Sequence, residues 1–67
     1  MATFNAQLQS SWLASAEYDD ETEELTVSTV LGRDYTHRGV PLSMFEALRD
    51  ARSAGAFYNA NIKGVYS

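Results

Sequence analysis

The stretch from Ala51 to Tyr66 carries the densest set of side chains able to do chemistry. It holds the aromatic pair Phe57-Tyr58, the amides Asn59 and Asn61, and Lys63, framed by Ser53 and Gly64. Asn is a weak helix former whose amide needs hydrogen-bond partners, so two of them in one helix-like stretch call for a partner in the fold or in a ligand. Asn59 is expected to close a backbone gap between this stretch and the Gly39-Val40-Pro41 turn. Tyr35, Phe57, Tyr58 and Tyr66 offer rings on which bases stack, although a short chain also consumes such rings in its core. Tyr66, near the end, is expected to be the freest. Arg52 and Lys63 stand first as phosphate contacts. The candidate nucleic-acid set is Arg33, Tyr35, Arg38, Arg52, Lys63 and Tyr66.

His37, the one histidine, has a reference pKa near physiological pH and is the natural choice for a general base. No serine or cysteine nucleophile stands at a recognised spacing from it, so it is expected to pack in a strand beside Tyr35. No catalytic residues, metal site or cofactor are expected. The carboxylates between Glu17 and Glu24 lack the central glycine and terminal glutamate of a calcium loop and read as a solvated hairpin tip. Such a tip can also mimic nucleic-acid phosphates before a basic partner. Trp12, Asp19, Asp20, Glu21 and Glu23 are therefore the candidate protein-binding set.

Composition narrows the field. Sixty-seven residues make one domain, 1–67, with a small core, and 45% hydrophobic residues argue against a disordered tail. The absence of cysteine excludes disulfides and Cys-based zinc sites and points to a reducing, cytoplasmic compartment. No apolar run is long enough to span a bilayer, so no membrane partner is expected, and the N-terminus lacks the pattern of a signal peptide. The net charge of −4 is uneven. Residues 1–32 hold six acids and no base, whereas residues 33–67 hold all five bases and three acids. An acidic chain does not bind nucleic acid by bulk charge, so only a local basic surface in the second half could do so. The two signs are expected at separate ends of the molecule.

The elements that must position these groups follow from periodicity. Met1 to Gln9 shows no clear period and reads as loose. Trp12 to Tyr18 alternates, with Trp12, Ala14, Ala16 and Tyr18 on one face of a first strand. A turn at Asp19-Asp20-Glu21-Thr22 leads to a second strand, Glu24 to Leu31, with Leu25, Val27, Thr29 and Leu31 on one side. Gly32 turns the chain into a third strand, Asp34 to Arg38, with Tyr35 and His37 sharing a face. Gly39-Val40-Pro41 ends the sheet. A helix then starts at Pro41 or, by a capping-box spacing, at Ser43, and carries Met44, Phe45, Leu48 and Ala51 as its apolar stripe. Ser53 caps a second helix running to about Lys63, with Tyr58 and Ile62 on one face, and Gly64 stops it. The expected class is α+β, a three-stranded antiparallel meander followed by two short helices packed on one face. The edges of the first and third strands are candidate homodimer contacts.

The ordered residues Leu8-Gln9-Ser10-Ser11, Tyr18-Asp19, Leu25-Thr26-Val27, Gly32, Tyr35, Gly39-Val40-Pro41, Phe45, Leu48, Ala51, Ser53, Gly55, Phe57-Tyr58-Asn59, Ile62-Lys63 and Tyr66 resemble the KTSC domain. That family is a short module at the end of some lysyl-tRNA synthetases and is also found as single-domain bacterial and phage proteins. The resemblance runs from about Leu8 to Tyr66. The sequence departs from the family pattern at Tyr35-Thr36-His37, where a second tyrosine is usual, at Glu17, where glycine is usual, and at Trp12, where a polar residue is usual. Many members continue into a basic, aromatic tail, whereas the residues here run to Ser67. The resemblance implies a non-catalytic interaction module with RNA or a nucleoprotein as candidate partner. Its phage and prophage forms, with the acidic hairpin, point alternatively to a small inhibitor of a host protein.

Overall fold

Leu25-Thr26-Val27-Ser28-Thr29 makes the clearest strand of this chain, and Gly39 and the single proline, Pro41, separate the sheet from the helices. The computed structural model describes residues 2–66. Strands β1 (Thr3–Gln7), β2 (Leu13–Asp19), β3 (Glu24–Thr29) and β4 (Asp34–His37) precede helices α1 (Leu42–Asp50) and α2 (Ala54–Asn61). The strands form one antiparallel sheet in the order β1-β2-β3-β4. The class is α+β as expected, but the meander has four strands rather than three.

The added strand lies in the segment read as loose. It holds one large apolar residue, Phe4, which stays 36% exposed, so its own alternation carries little signal. Its order comes from register with β2, where Phe4 faces Tyr18 and Ala6 faces Ala16. Cross-strand pairing of this kind is a property of two segments together. The first-strand edge expected to be open is therefore covered, and the sheet ends at β1 and β4.

A bulge resets the phase of β2. Leu13 pairs with Thr29 and Ser15 with Ser28, leaving Ala14 as the extra residue. Ser10 Oγ holds this corner by accepting from the backbone N–H groups of Trp12 and Leu13, both at 3.2 Å. The expected face of Trp12, Ala14, Ala16 and Tyr18 is thus broken, and Leu13, Ala16 and Tyr18 are the buried set. At the far end of β3 the strand stops at Thr29. A tight turn closes there, with Thr29 N–H donating to Arg33 O at 2.7 Å. Leu31 therefore sits at a turn, 87% exposed, and not on the core side of the strand.

One sheet face is polar. Glu17 lies opposite Thr26, the hydroxyls of Thr26 and Thr36 share a 3.0 Å hydrogen bond, and Ser28 donates to Asp34 at 2.8 Å. The other face presents Leu13, Ala16, Tyr18, Leu25 and Val27 to Phe45, Leu48, Ala54, Tyr58 and Ile62 of the helical half. Tyr18 stacks on Phe45, with ring centroids 5.5 Å apart.

The helices start where local chemistry allows. Pro41, already at φ −72, is the N-cap of α1, and its carbonyl accepts from Met44 N–H at 3.0 Å. Ser43 lies inside the helix, so the alternative start is not used. Ser53 caps α2 by accepting from Ala56 N–H at 3.4 Å, and Gln9 O accepts the N–H of Ala54 at 2.8 Å. Two of the unpaired donors of a helix start are satisfied in this way. α2 ends at Asn61, two residues short of the expected Lys63, and the chain reverses through Gly64 at φ +81.

Asn59 does not bridge to the Gly39-Val40-Pro41 turn; it is exposed. Tyr18 does that work. Its buried hydroxyl donates to Val40 O, while Val40 N–H donates to Glu23 O at 3.0 Å. Glu23 takes the left-handed conformation, φ 58, at the turn that delivers this carbonyl. The second amide, Asn61, donates to Phe57 O one turn back in its own helix.

Removing the Tyr18 hydroxyl leaves Val40 O buried and unpaired. Tyr18→Phe is expected to cost about 1–3 kcal/mol in urea unfolding. Burial, and then the charges of Glu23, Asp20 and Asp19, hold the Tyr18 phenol above its ordinary value. Its contribution is whole below the ordinary tyrosine value of about 10 and is lost as pH rises through the higher folded value. Alkaline unfolding followed by circular dichroism should show wild-type stability falling above about pH 10, with a shallower fall in Tyr18→Phe.

Candidate functional site

β4 projects alternate residues to the helix side. Val27 pairs with Tyr35 and Leu25 with His37, so both β4 side chains share the core face at the sheet's edge. The helices do not cover this edge completely. Trp12 from the β1–β2 connection, Tyr35 and His37 from β4, Tyr58 from α2, and Lys63 line a cavity of about 220 Å³. Tyr58 is its buried floor, with the edge of Trp12 at 5.8 Å and of His37 at 5.3 Å between ring centroids. Tyr35 is 41% exposed, and Lys63 is exposed.

A larger hollow of about 420 Å³ lies over β1 and β2, lined by Asn5, Ala6, Gln7, Ser15 and Ala16. Small side chains and amides dominate it, with no aromatic or titratable group, so it offers little to recognise a ligand. The smaller cavity is the one with chemistry.

His37 is fully engaged. Nδ1 lies 3.1 Å from Tyr66 O, and Nε2 lies 2.6 Å from Tyr58 Oη. A carbonyl oxygen only accepts, so Nδ1 carries the proton in the neutral ring. Nε2 then accepts from the Tyr58 hydroxyl. Burial, and then the nearby Tyr35, push the Tyr58 phenol above its ordinary value, which keeps that donor protonated. His37 thus packs edge-on to Tyr58 and ties β4 to the chain after α2.

Gly55 positions Trp12. A Cβ at Gly55 would lie 2.2 Å from Trp12 Nε1 and 2.8 Å from Ser10 Oγ, so the indole's nitrogen edge rests directly on the α2 backbone. This close approach requires glycine.

The sequence-expected residues divide. Tyr35, Lys63 and Trp12 converge on the cavity. Tyr66 is half-buried against the core rather than free, and its carbonyl serves His37. Arg33 is exposed just before β4, two residues from Tyr35, and Arg52 is exposed between the helices. Arg38 pairs with Glu24 at 3.2 Å, because antiparallel pairing sets the end of β4 beside the start of β3. Arg49 pairs with Asp50 at 3.0 Å and holds that carboxyl below its ordinary value. The expected separation of signs therefore fails at these two pairs. Among the described residues, Arg33, Arg52 and Lys63 make no ion pair.

The acids Asp19, Asp20, Glu21 and Glu23 cluster at the β2–β3 turn. Asp19 accepts from Glu21 N–H and Asp20 from Ala2 N–H, so two carboxylates brace the turn. Among the described residues, no group of three His, Cys, Asp or Glu side chains is placed to hold a metal ion. No described helix is long and apolar enough to cross a membrane. Tyr58, one of the rings expected either to stack bases or to be consumed by the core, is the cavity's buried floor, and His37, expected only to pack beside Tyr35, is also one of its walls. The shared face of Tyr35 and His37 is a local signal for two of the walls, but nothing local marks Gly55 as the seat of Trp12.

A four-stranded antiparallel sheet with two helices on one face and an aromatic hollow at its β4 edge defines a small α+β module. The KTSC domain model matches residues 9–66, and the chain belongs to that family. The crystal structure of the KTSC domain protein YPO2434 from Yersinia pestis is similar, with a TM-score of 0.88 at 27% identity. The match covers 98% of this chain and 93% of that one. No curated protein matches the chain.

Gly55→Ala should drive the indole off the helix. The expected loss is about 1–3 kcal/mol, as for overpacking of a tight contact, despite the better helix propensity of alanine. A thermal melt followed by the emission of Trp12, the single tryptophan, reads stability and indole environment together. An unchanged melt and spectrum would show that the contact is slack.

Proposed function

We propose that this KTSC-type chain is a non-catalytic interaction module that binds single-stranded RNA, free or within a nucleoprotein. The observation that carries the reading is the convergence of four aromatic rings and Lys63 on one edge cavity. Aromatic faces stack bases of any sequence, and a lysine beside them meets the phosphate. Arg33, in the turn just before the strand that carries Tyr35, extends the positive surface. The acidic β2–β3 turn lies at the other end of β3, a strand of six residues or about 20 Å. That distance is about 2.5 Debye lengths at physiological salt, so the acids weaken attraction at Arg33 only slightly. The bonding of both His37 nitrogens to Tyr58 and Tyr66 supports a structural ring over a general base.

With Lys63 and Arg33 as the phosphate contacts, the slope of log K against log salt should be about −1.4. Affinity for a single-stranded RNA is then expected to fall about sevenfold between 50 and 200 mM salt, and Arg33→Ala should flatten the slope by about half. Absence of any complex at low salt, where charge contacts are strongest, would end the reading.

A second reading, a module that docks on a host protein as an inhibitor, has one observation in its favour. Glu21 and Glu23 stand exposed at the β2–β3 turn and make no side-chain hydrogen bond or ion pair among the described residues. Affinity capture from the native cell should then survive nuclease and weaken in a Glu21→Gln, Glu23→Gln double variant. Equal capture by that variant would remove the hairpin from the contact.

A further inference from the structure

We infer that the Trp12–Tyr35–His37–Tyr58 cavity takes one unpaired base by stacking alone and does not tell the bases apart. The inference rests on the RNA-binding reading and adds which bases the site accepts and why. The cavity's volume of about 220 Å³ sits below the roughly 300 Å³ at which pockets begin to enclose a whole small molecule. It suits one ring system with its sugar and phosphate outside.

The inner walls have little hydrogen bonding left to offer. The Tyr58 hydroxyl spends its proton on His37 Nε2, and His37 Nδ1–H is spent on Tyr66 O. The nitrogen edge of Trp12 rests on Gly55. The Trp12 indole N–H makes no hydrogen bond among the described residues but is turned onto the α2 backbone at Gly55; the other polar groups without a partner there are the Tyr35 hydroxyl and the Lys63 ammonium, on the two more exposed residues of the lining. Groups so placed meet phosphate and sugar rather than the edge of a base seated inside. Reading a base needs fixed donors and acceptors opposite its edge, and here those of His37 and Tyr58 are occupied by one another while the Trp12 N–H faces Gly55. What remains is π surface, which every base shares.

Trp12, the chain's single tryptophan, makes the cavity its own reporter. The experiment titrates the full chain at low salt with oligouridylate, oligoadenylate and oligocytidylate of about ten nucleotides, reading both complex formation and Trp12 emission. All three should quench Trp12, with affinities inside about a fivefold range, the least that one edge-reading contact would exceed. Tyr35→Ala removes one stacking face at a part-exposed position and should weaken all three by a common factor, about five- to 150-fold, without moving the thermal melt. A spread beyond about fivefold among the three overturns the inference. Binding with unmoved Trp12 emission and an indifferent Tyr35→Ala variant also overturns it, yet leaves RNA binding itself standing. No complex with any oligomer ends both.

Discussion

The contact on which the rest of this molecule depends is the Tyr18 phenol, buried at the centre of the sheet and bonded to Val40 O. Val40 belongs to the Gly39-Val40-Pro41 link, the only covalent route from the sheet to the helices. Its N–H is held by Glu23 and its carbonyl by Tyr18, so both polar groups of a fully buried residue are satisfied. The Tyr18 ring meanwhile stacks on Phe45 of α1. One side chain therefore fixes both where the chain leaves the sheet and where the first helix lands. A small core has few contacts to spare, which is why one such clasp matters so much.

The second constraint is the approach of Trp12 to Gly55. It brings the β1–β2 connection onto the start of α2, where Gln9 O also takes the N–H of Ala54. Tyr58, one turn on, then meets the tryptophan edge and, on its other side, His37. The cavity follows from these contacts. Its walls come from four parts of the chain, and the Trp12, Tyr58 and His37 rings hold one another edge-on. Preorganisation of this sort spares a binding site the cost of ordering its own side chains.

Charge shows how distance along the chain differs from distance in space. The acidic first half and the basic second half look like two poles. Folding β4 back along β3 sets Arg38 against Glu24, and Arg49 closes on its neighbour Asp50. Such exposed pairs add little stability, but they take two of the five cations out of any ligand surface. Part of the acid cluster is committed as well, since Asp19 and Asp20 cap backbone N–H groups. The surface left over is smaller and more local than composition suggests.

Several features were legible in the residues alone because their causes are local. The β-branched alternation of Leu25 to Ser28, the break at Gly39 to Pro41, the Ser53 cap and the stop before Gly64 all act within a few residues of themselves. So did the shared face of Tyr35 and His37, which follows from strand period. Other features are decided by partners distant in sequence. β1 exists because β2 offers it a register, and the phase of β2 is reset by a bulge held from Ser10. The work expected of Asn59 fell to Tyr18, and Tyr66 was drawn onto the core, its carbonyl meeting His37. Periodicity reports which way a side chain points along its own element. It cannot report which hydroxyl, carbonyl or bare glycine will stand opposite, because that choice is made only when the elements pack.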